Sequence, residues 1–435
     1  MIKKPLPIVK LKLDKIVGGG QAMGSMDDGR KTFVWGGLPG ETVMVQLTKK
    51  KSHMAEGMVT EVITSSPDRI TPTDIESYMS TSPWQIMKFA AEQHYKAALI
   101  EEAFELHDIV LPNPIEVYTD GKQFEYRNKI EFSFYFNKET EQLDLAFFKR
   151  SSHGKIPVSS TSLALPCINE SADRLLNILR ARDGVKGFDL KTVLVRADQN
   201  NNVAMQLYVK NSDFEILNDA ELKILNVQGF ELIFSNPKSP ASVITRRLQQ
   251  WGINNLSDTI LDVPFNYAVE GFFQINLPVY EQALNDMKKW TDNRKSVIDL
   301  YSGVGSIGLT IGGKKVTLIE SNEHAVNEMR QNIIKLGREK TTTAILSPSE
   351  FALDHIDSKS IIIVDPPRAG MHTDVIKKLL EVSPSRIIYL SCNPVTQARD
   401  TAILAEKYGI KYHMGYNFFP RTPHIENLVI LDLKK

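Results

Sequence analysis

The stretch Ser296-Val-Ile-Asp-Leu-Tyr-Ser-Gly-Val-Gly-Ser-Ile-Gly308 decides the fold of this chain. Val297 to Tyr301 read as a buried strand, and Ser306 onward opens a helix. Between them, Gly303, Gly305 and Gly308 match the pattern G-x-G-x-x-G. Glycines at this spacing let a cofactor approach the backbone where a helix N-terminus meets a strand tip. The pattern fits a dinucleotide, and it fits S-adenosylmethionine equally well. Val316 to Glu320 reads as the next strand, and Glu320 at its tip is placed to accept from two ribose hydroxyls, which again fits either cofactor.

The following strand separates these readings. Ser360 to Val364 is apolar and ends in Asp365-Pro-Pro-Arg-Ala-Gly370. Two prolines after a strand-end aspartate fix φ and stiffen the loop. A methyltransferase uses such a loop beneath the reactive sulfonium, whereas hydride transfer has no use for it. Arg368 stands where amino-methyltransferases place a base-stacking aromatic, which argues against N-methylation. Ile387 to Leu390 is a further apolar strand, ending in Ser391-Cys392-Asn393-Pro394. It delivers a thiol to the edge where open α/β sheets bind ligands. A free cysteine also packs as a small apolar residue, so Cys392 gains weight from its neighbours. The last such tip is Glu426, ahead of the apolar run to Leu431. A carboxylate entering a central strand is costly unless it is paired or acts as an acid or base.

Upstream, Ile8 to Val17, Thr32 to Trp35, Thr42 to Thr48 and Glu56 to Ile63 read as short strands separated by glycine-rich turns, the pattern of a small barrel. The run Lys49-Lys50-Lys51 with His53 sits on a hairpin tip, suited to phosphate or to solvent alone. Trp84 to Leu106 carries apolar residues at helical spacing, and Phe272 to Asn276 opens a second helix. Tyr126 to Phe134, 192 to 210 and 227 to 235 read as strands. Tyr126, His153 and the basic residues Arg127, Lys149, Arg150, Lys155, Arg246 and Arg247 suit an unstacked nucleotide strand, but taken alone the region reads first as an ordinary β-rich domain with a few surface cations. The expected domains are therefore 1–66, an OB-like barrel; 67–265, a central α+β unit; and 266–435, a Rossmann-like α/β unit.

The chain has 435 residues, zero formal net charge and two cysteines, Cys167 and Cys392. Two cysteines exclude a disulfide scaffold and a four-thiolate metal site. No apolar run approaches a membrane span, and Met1 to Pro5 carry no apolar secretory region. A cytoplasmic protein with free thiols is the expectation, with a single chain as the default state.

Gln274, Tyr301-Ser-Gly-Val-Gly-Ser306, Asp365-Pro-Pro-Arg368, Ser391-Cys392-Asn393-Pro394 and His424-Ile-Glu426 fall in an order that resembles the RNA uracil-C5 methyltransferases acting on 23S ribosomal or transfer RNA. Phe33-Val-Trp-Gly-Gly-Leu-Pro-Gly-Glu-Thr-Val43 resembles the TRAM domain, an RNA-binding barrel. The resemblance implies that Gln274, Tyr301, Ser306, Glu320 and Asp365 bind S-adenosylmethionine, that Cys392 is the nucleophile and that Glu426 is the base. The barrel makes 23S ribosomal RNA the expected partner ahead of transfer RNA. Many ribosomal members hold a four-cysteine iron–sulfur cluster after the barrel. Here Ile75 to Gln85 contains no cysteine, so no cluster and no metal are expected. Two other classes compete. A nicotinamide-dependent dehydrogenase explains the glycines and Glu320 but gives Asp365-Pro-Pro and Cys392 no task. A non-catalytic RNA-binding protein explains the barrel and the basic loops, and predicts that Cys392 can be lost without functional effect.

Overall fold

The computed structural model describes residues 6–240 and 242–435; the reading of Met1 to Pro5 lies outside them. Ile8–Ile16, Ala22–Ser25, Lys31–Trp35, Met54–Thr64 and Thr42–Lys50 form a closed five-stranded barrel in that spatial order. Inward residues alternate along its strands, with Leu11, Leu13, Val34, Val43, Val45 and Ala55 at its centre. This fits a TRAM-like domain. A seven-stranded sheet follows, running spatially from Arg246–Gly252 through Gly229–Phe234, Val203–Val209, Leu190–Ala197, Lys129–Asn137 and Gln142–Phe148 to Lys155–Val158.

The C-terminal sheet has eight strands, in the order Thr342–Leu346, Val316–Glu320, Val297–Leu300, Ile361–Val364, Arg386–Ser391, Glu426–Leu433, Tyr408–Tyr416 and Val117–Tyr118. The first five run parallel, and Glu426–Leu433 is antiparallel to both of its neighbours. Strand period two divides each strand between two cores. Ile361 and Ile363 pack with Leu277–Lys288 and Glu323–Lys335 on one face. Ile362 and Val364 pack with Phe89–Glu105, Thr373–Val382 and Pro394–Leu404 on the other. The chain order reverses between Val297–Leu300 and Ile361–Val364, so a crevice opens beyond their C-terminal tips.

Three expected elements differ. The helix expected from Trp84 begins at Phe89, because Pro83–Ile86 closes a single 3-10 turn and Met87 is extended. The helix expected from Phe272 begins at Leu277, with Pro278 in its first turn. The carbonyls of Gly271 and Phe273 accept instead from Arg196, and that of Gln274 from Asn128. The strand expected from Tyr126 begins at Lys129. The cysteine-free segment after the barrel is held by polar side chains: Asp74 accepts from Ser162 and Thr161, and Gln85 donates to Asp74 and Ser82. No helix among the described residues is long and apolar enough to cross a membrane.

Candidate active site

One cleft of about 2040 Å³ opens along the parallel strand tips. That is more than a single small-molecule site needs. Gln274, Tyr301, Ser306, Glu320, Asp365, Cys392 and Glu426 all line it, so the structure brings every sequence-predicted site residue to one cavity.

At one end lies the glycine turn. Tyr301 has φ +61°, Gly303 +56° and Gly305 +83°. A left-handed non-glycine residue is strained and marks a turn held by its surroundings. The Tyr301 hydroxyl accepts from the His372 amide at 3.2 Å. Buried Asp299 accepts from the Gly308 amide at 2.9 Å, pinning the Ser306–Ile311 helix to its strand. Its carboxyl is pushed up to about 8, mainly by burial. Sequence reasoning passed over Asp299, although an acid inside an apolar strand was the available signal. Ser306 shares a 2.7 Å hydrogen bond with the buried Tyr280 hydroxyl.

Glu320 accepts from the Gly303 amide at 2.9 Å and the Asn322 amide at 2.8 Å. With a longer bond from the Ser321 hydroxyl, these acceptances orient its carboxylate and leave lone pairs for a vicinal diol. A Cβ at Gly303 would meet nothing within 4 Å, so the turn leaves room beside its backbone. Glu320, Asp365 and Glu426 are among the carboxylates that line the cleft. This donor set fits a ribose and a cationic sulfonium, the recognisable parts of S-adenosylmethionine.

At the other end, Ser391 pairs with Asn427 across the antiparallel strands. Cys392 and Glu426 are the next residue on each side and flank each other at the tips. Asn393 then does three things. Its amide donates to the Arg368 carbonyl at 2.8 Å, its oxygen accepts from the Val395 amide, and its backbone amide donates to the Ser391 hydroxyl. The thiol loop is thereby capped onto its helix and tied to the Asp365-Pro-Pro loop. The quoted motif contained Asn393, but this bridging role spans segments distant in the chain and was not readable from it.

The charges are strongly coupled. The Cys392 thiol is pushed up to about 12 by burial and by Glu426 and Asp365, against a smaller opposing pull from Arg368. Burial raises Glu426 well above the usual carboxylate range, and Asp365 raises it further. Burial lifts Asp365 itself to about 7. His424 is depressed to about 4, by burial first and then by Arg368 and more distant cations. It is therefore neutral near pH 7, and its Nδ1 accepts from Arg368 at 3.2 Å. Phe419 meets His424 edge-on at 5.8 Å, and the Arg127 guanidinium lies 6.0 Å over Phe419. Arg127 Nε is buried without a partner.

Some expected contacts are otherwise engaged. Arg421, near Glu426 in the chain, is buried; it donates to the Met87 carbonyl and lies 3.7 Å from Glu92. Tyr126 is buried and donates to the Pro420 carbonyl, so it offers no stacking face. Arg150 stacks on Trp35 at 4.2 Å and donates to the Met79 carbonyl, joining the basic loop to the barrel segment. Among the described residues, no group of three or more His, Cys, Asp or Glu side chains is arranged to hold a metal ion.

Comparison with known proteins gives the family and the fold. Residues 89–434 match the family model described as tRNA (uracil-5-)-methyltransferase. An uncharacterized RNA methyltransferase of Fusobacterium nucleatum is 27% identical, the match covering 98% of this chain and 96% of that one. One of Listeria monocytogenes is 25% identical, covering 92% of each. The crystal structure of Pyrococcus abyssi tRNA (uracil-54, C5)-methyltransferase with S-adenosyl-L-homocysteine superposes with a TM-score of 0.78 and 21% identity. That match covers 97% of this chain and 100% of the other.

Proposed function

Because the chain belongs to the tRNA (uracil-5-)-methyltransferase family, a family of RNA methyltransferases using S-adenosylmethionine, we propose that it methylates carbon 5 of a uridine through a covalent Cys392 adduct. The observation that carries this reading is the pairing of Cys392 and Glu426 at facing strand tips, with Asp365 on the same cleft. Carbon 5 of uracil is a weak nucleophile. Addition of the Cys392 thiolate to carbon 6 moves the C5–C6 π electrons into an enolate and makes carbon 5 reactive. When bound, S-adenosylmethionine would supply the methyl group that carbon 5 accepts, with S-adenosylhomocysteine as the leaving group. Glu426 then removes the carbon 5 proton, the C5–C6 double bond re-forms, and the C6–S bond breaks to return the thiolate. The thiol proton must leave first; Asp365, in its ionised form, takes it, so that Glu426 stays ionised to accept the carbon 5 proton. Gln274, Tyr301, Ser306 and Glu320 hold the cofactor. Arg368 keeps positive charge beside the thiol.

A stacked uridine must be flipped to reach this depth. The size of the cleft and the Arg127 guanidinium over Phe419, with its Nε unpaired, support entry of an RNA strand. We assign residues 1–66 and 67–265 to gripping that strand and 266–435 to the chemistry. All the residues named come from one chain, and we take a monomer as the active unit. The substrate assigned first is 23S ribosomal RNA, on the barrel and the basic loop Lys149 to Lys155. Transfer RNA has its own support in the family description and in the Pyrococcus neighbour, whose match extends over nearly the whole chain. Transfer of a labelled methyl group to unmodified transcripts of both RNAs, followed by nucleoside analysis, tests the assignment. Label in 5-methyluridine from 23S RNA supports it, label from transfer RNA alone moves the substrate, and label in another nucleoside ends the uracil-C5 reading.

A further inference from the structure

Beneath the two reactive tips lies a buried amide pair to which the reaction itself assigns no task. Gln397 sits in the first turn of the Pro394–Leu404 helix, five residues after Cys392. Asn427 follows Glu426. Both are 0% exposed. The Gln397 amide donates to the Tyr389 carbonyl at 3.0 Å and to the Asn427 carbonyl at 2.9 Å. Its oxygen accepts from the Asn427 side chain at 2.7 Å. One side chain thus bridges the strand that ends at Cys392 and the strand that begins at Glu426. An apolar residue of the same volume would fill this space without desolvating an amide. Asn427 also leaves its side-chain oxygen buried without a partner, a cost that packing alone does not require.

We propose that Gln397, clasped by Asn427, is a positioning residue that sets the spacing between Cys392 and Glu426. The proposal rests on the reading of those two as nucleophile and base. Thiol addition needs Cys392 and a bound uracil, whereas release needs Glu426 correctly placed over carbon 5. Loosening the clasp therefore slows release more than addition. A displacement near 1 Å at a reacting group costs about 10²-fold.

The test uses the full-length protein with S-adenosylmethionine and an unmodified transcript, of 23S RNA or of transfer RNA, whichever the wild type methylates. Two readouts are taken: tritium released from 5-tritiated uridine, and covalent protein–RNA adduct on a denaturing gel. Gln397→Met keeps the volume and removes both donors. Asn427→Ala removes one clasp while Gln397 keeps its two carbonyls. The expected result is slower tritium release, by about 10- to 100-fold for Gln397→Met and less for Asn427→Ala, with adduct accumulating on natural uridine. Thermal melting identifies which variants are folded, and a folded variant that releases tritium at the wild-type rate without excess adduct overturns the proposal. Glu426→Gln separates the two ideas. If it accumulates adduct and folded Gln397→Met does not, the clasp proposal alone is overturned. If Glu426→Gln also accumulates none, the underlying base assignment fails.

Discussion

Cys392 is a thiol that the free protein holds in reserve. Its proton is retained up to about 12, against an ordinary value of 9.0, because the thiolate would be buried beside two carboxylates. That rise corresponds to about 10³-fold less thiolate at neutral pH. A more basic thiolate is more nucleophilic, with a Brønsted coefficient of about 0.4–0.5, which recovers roughly half of that deficit on a logarithmic scale. Exchange with a small uncharged disulfide at pH 7.5 is therefore expected to run about 30- to 60-fold slower than for an unperturbed cysteine. The assay is reaction with dipyridyl disulfide in a Cys167→Ser background, followed by mass and by pyridinethione release across pH 6 to 10. The rate should keep rising to the top of that range. Asp365→Asn and Glu426→Gln each remove a neighbour that raises the thiol, and both should accelerate the reaction. A plateau below pH 9, or Cys392 reacting as fast as a small-molecule thiol, would refute the electrostatic account.

Other outcomes follow from the same contacts. Glu426 must be ionised to accept the carbon 5 proton, and its proton affinity is raised by burial and by Asp365. Turnover should therefore rise with pH through the range where the pair deprotonates. Asp365→Asn should move that limb of the tritium-release profile to lower pH, and a shift to higher pH contradicts the coupling. Glu320→Gln should weaken cofactor binding by roughly 10- to 100-fold, the size of a lost charge-assisted hydrogen bond, with kcat little changed; calorimetry with S-adenosylhomocysteine measures it. Lys96 is buried 3.0 Å from Glu92 and donates to Asn417 and to the Phe419 carbonyl. Lys96→Met strips a buried ion pair and should cost about 3–5 kcal/mol in urea unfolding. An unchanged midpoint would mean that Arg421 and Asn417 satisfy Glu92 unaided.

The parallel-sheet domain was legible because strands buried on both faces are written as apolar runs with one polar residue at each tip, as in Ile361–Val364 before Asp365. Cys392, Glu320 and Glu426 stood out for that reason. The barrel was legible from strands alternating at period two between glycine turns. What stayed hidden depends on pairings remote in sequence. Tyr126 reads as a nucleotide contact in the chain and is buried against the Pro420 carbonyl in the fold. Phe272 to Asn276 reads as a helix start, but its carbonyls are claimed by Arg196 of the seven-stranded sheet and by Asn128 just ahead of that sheet's Lys129–Asn137 strand. The strand Val117–Tyr118 gives no periodic signal over two residues, yet it completes the edge of the C-terminal sheet beside Tyr416. Gln397 reads as an ordinary helical residue until the helix is laid against both strands.

The most direct test of a covalent Cys392 mechanism replaces the carbon 5 hydrogen by fluorine. Fluorine cannot leave as a proton, so the protein, S-adenosylmethionine and an RNA transcript carrying 5-fluorouridine should freeze at the methylated adduct. The account predicts a band on a denaturing gel that contains both protein and RNA, requires the cofactor, and disappears in Cys392→Ala. Absence of that band with 23S and with transfer RNA transcripts, while both cofactor and RNA are bound, would contradict it.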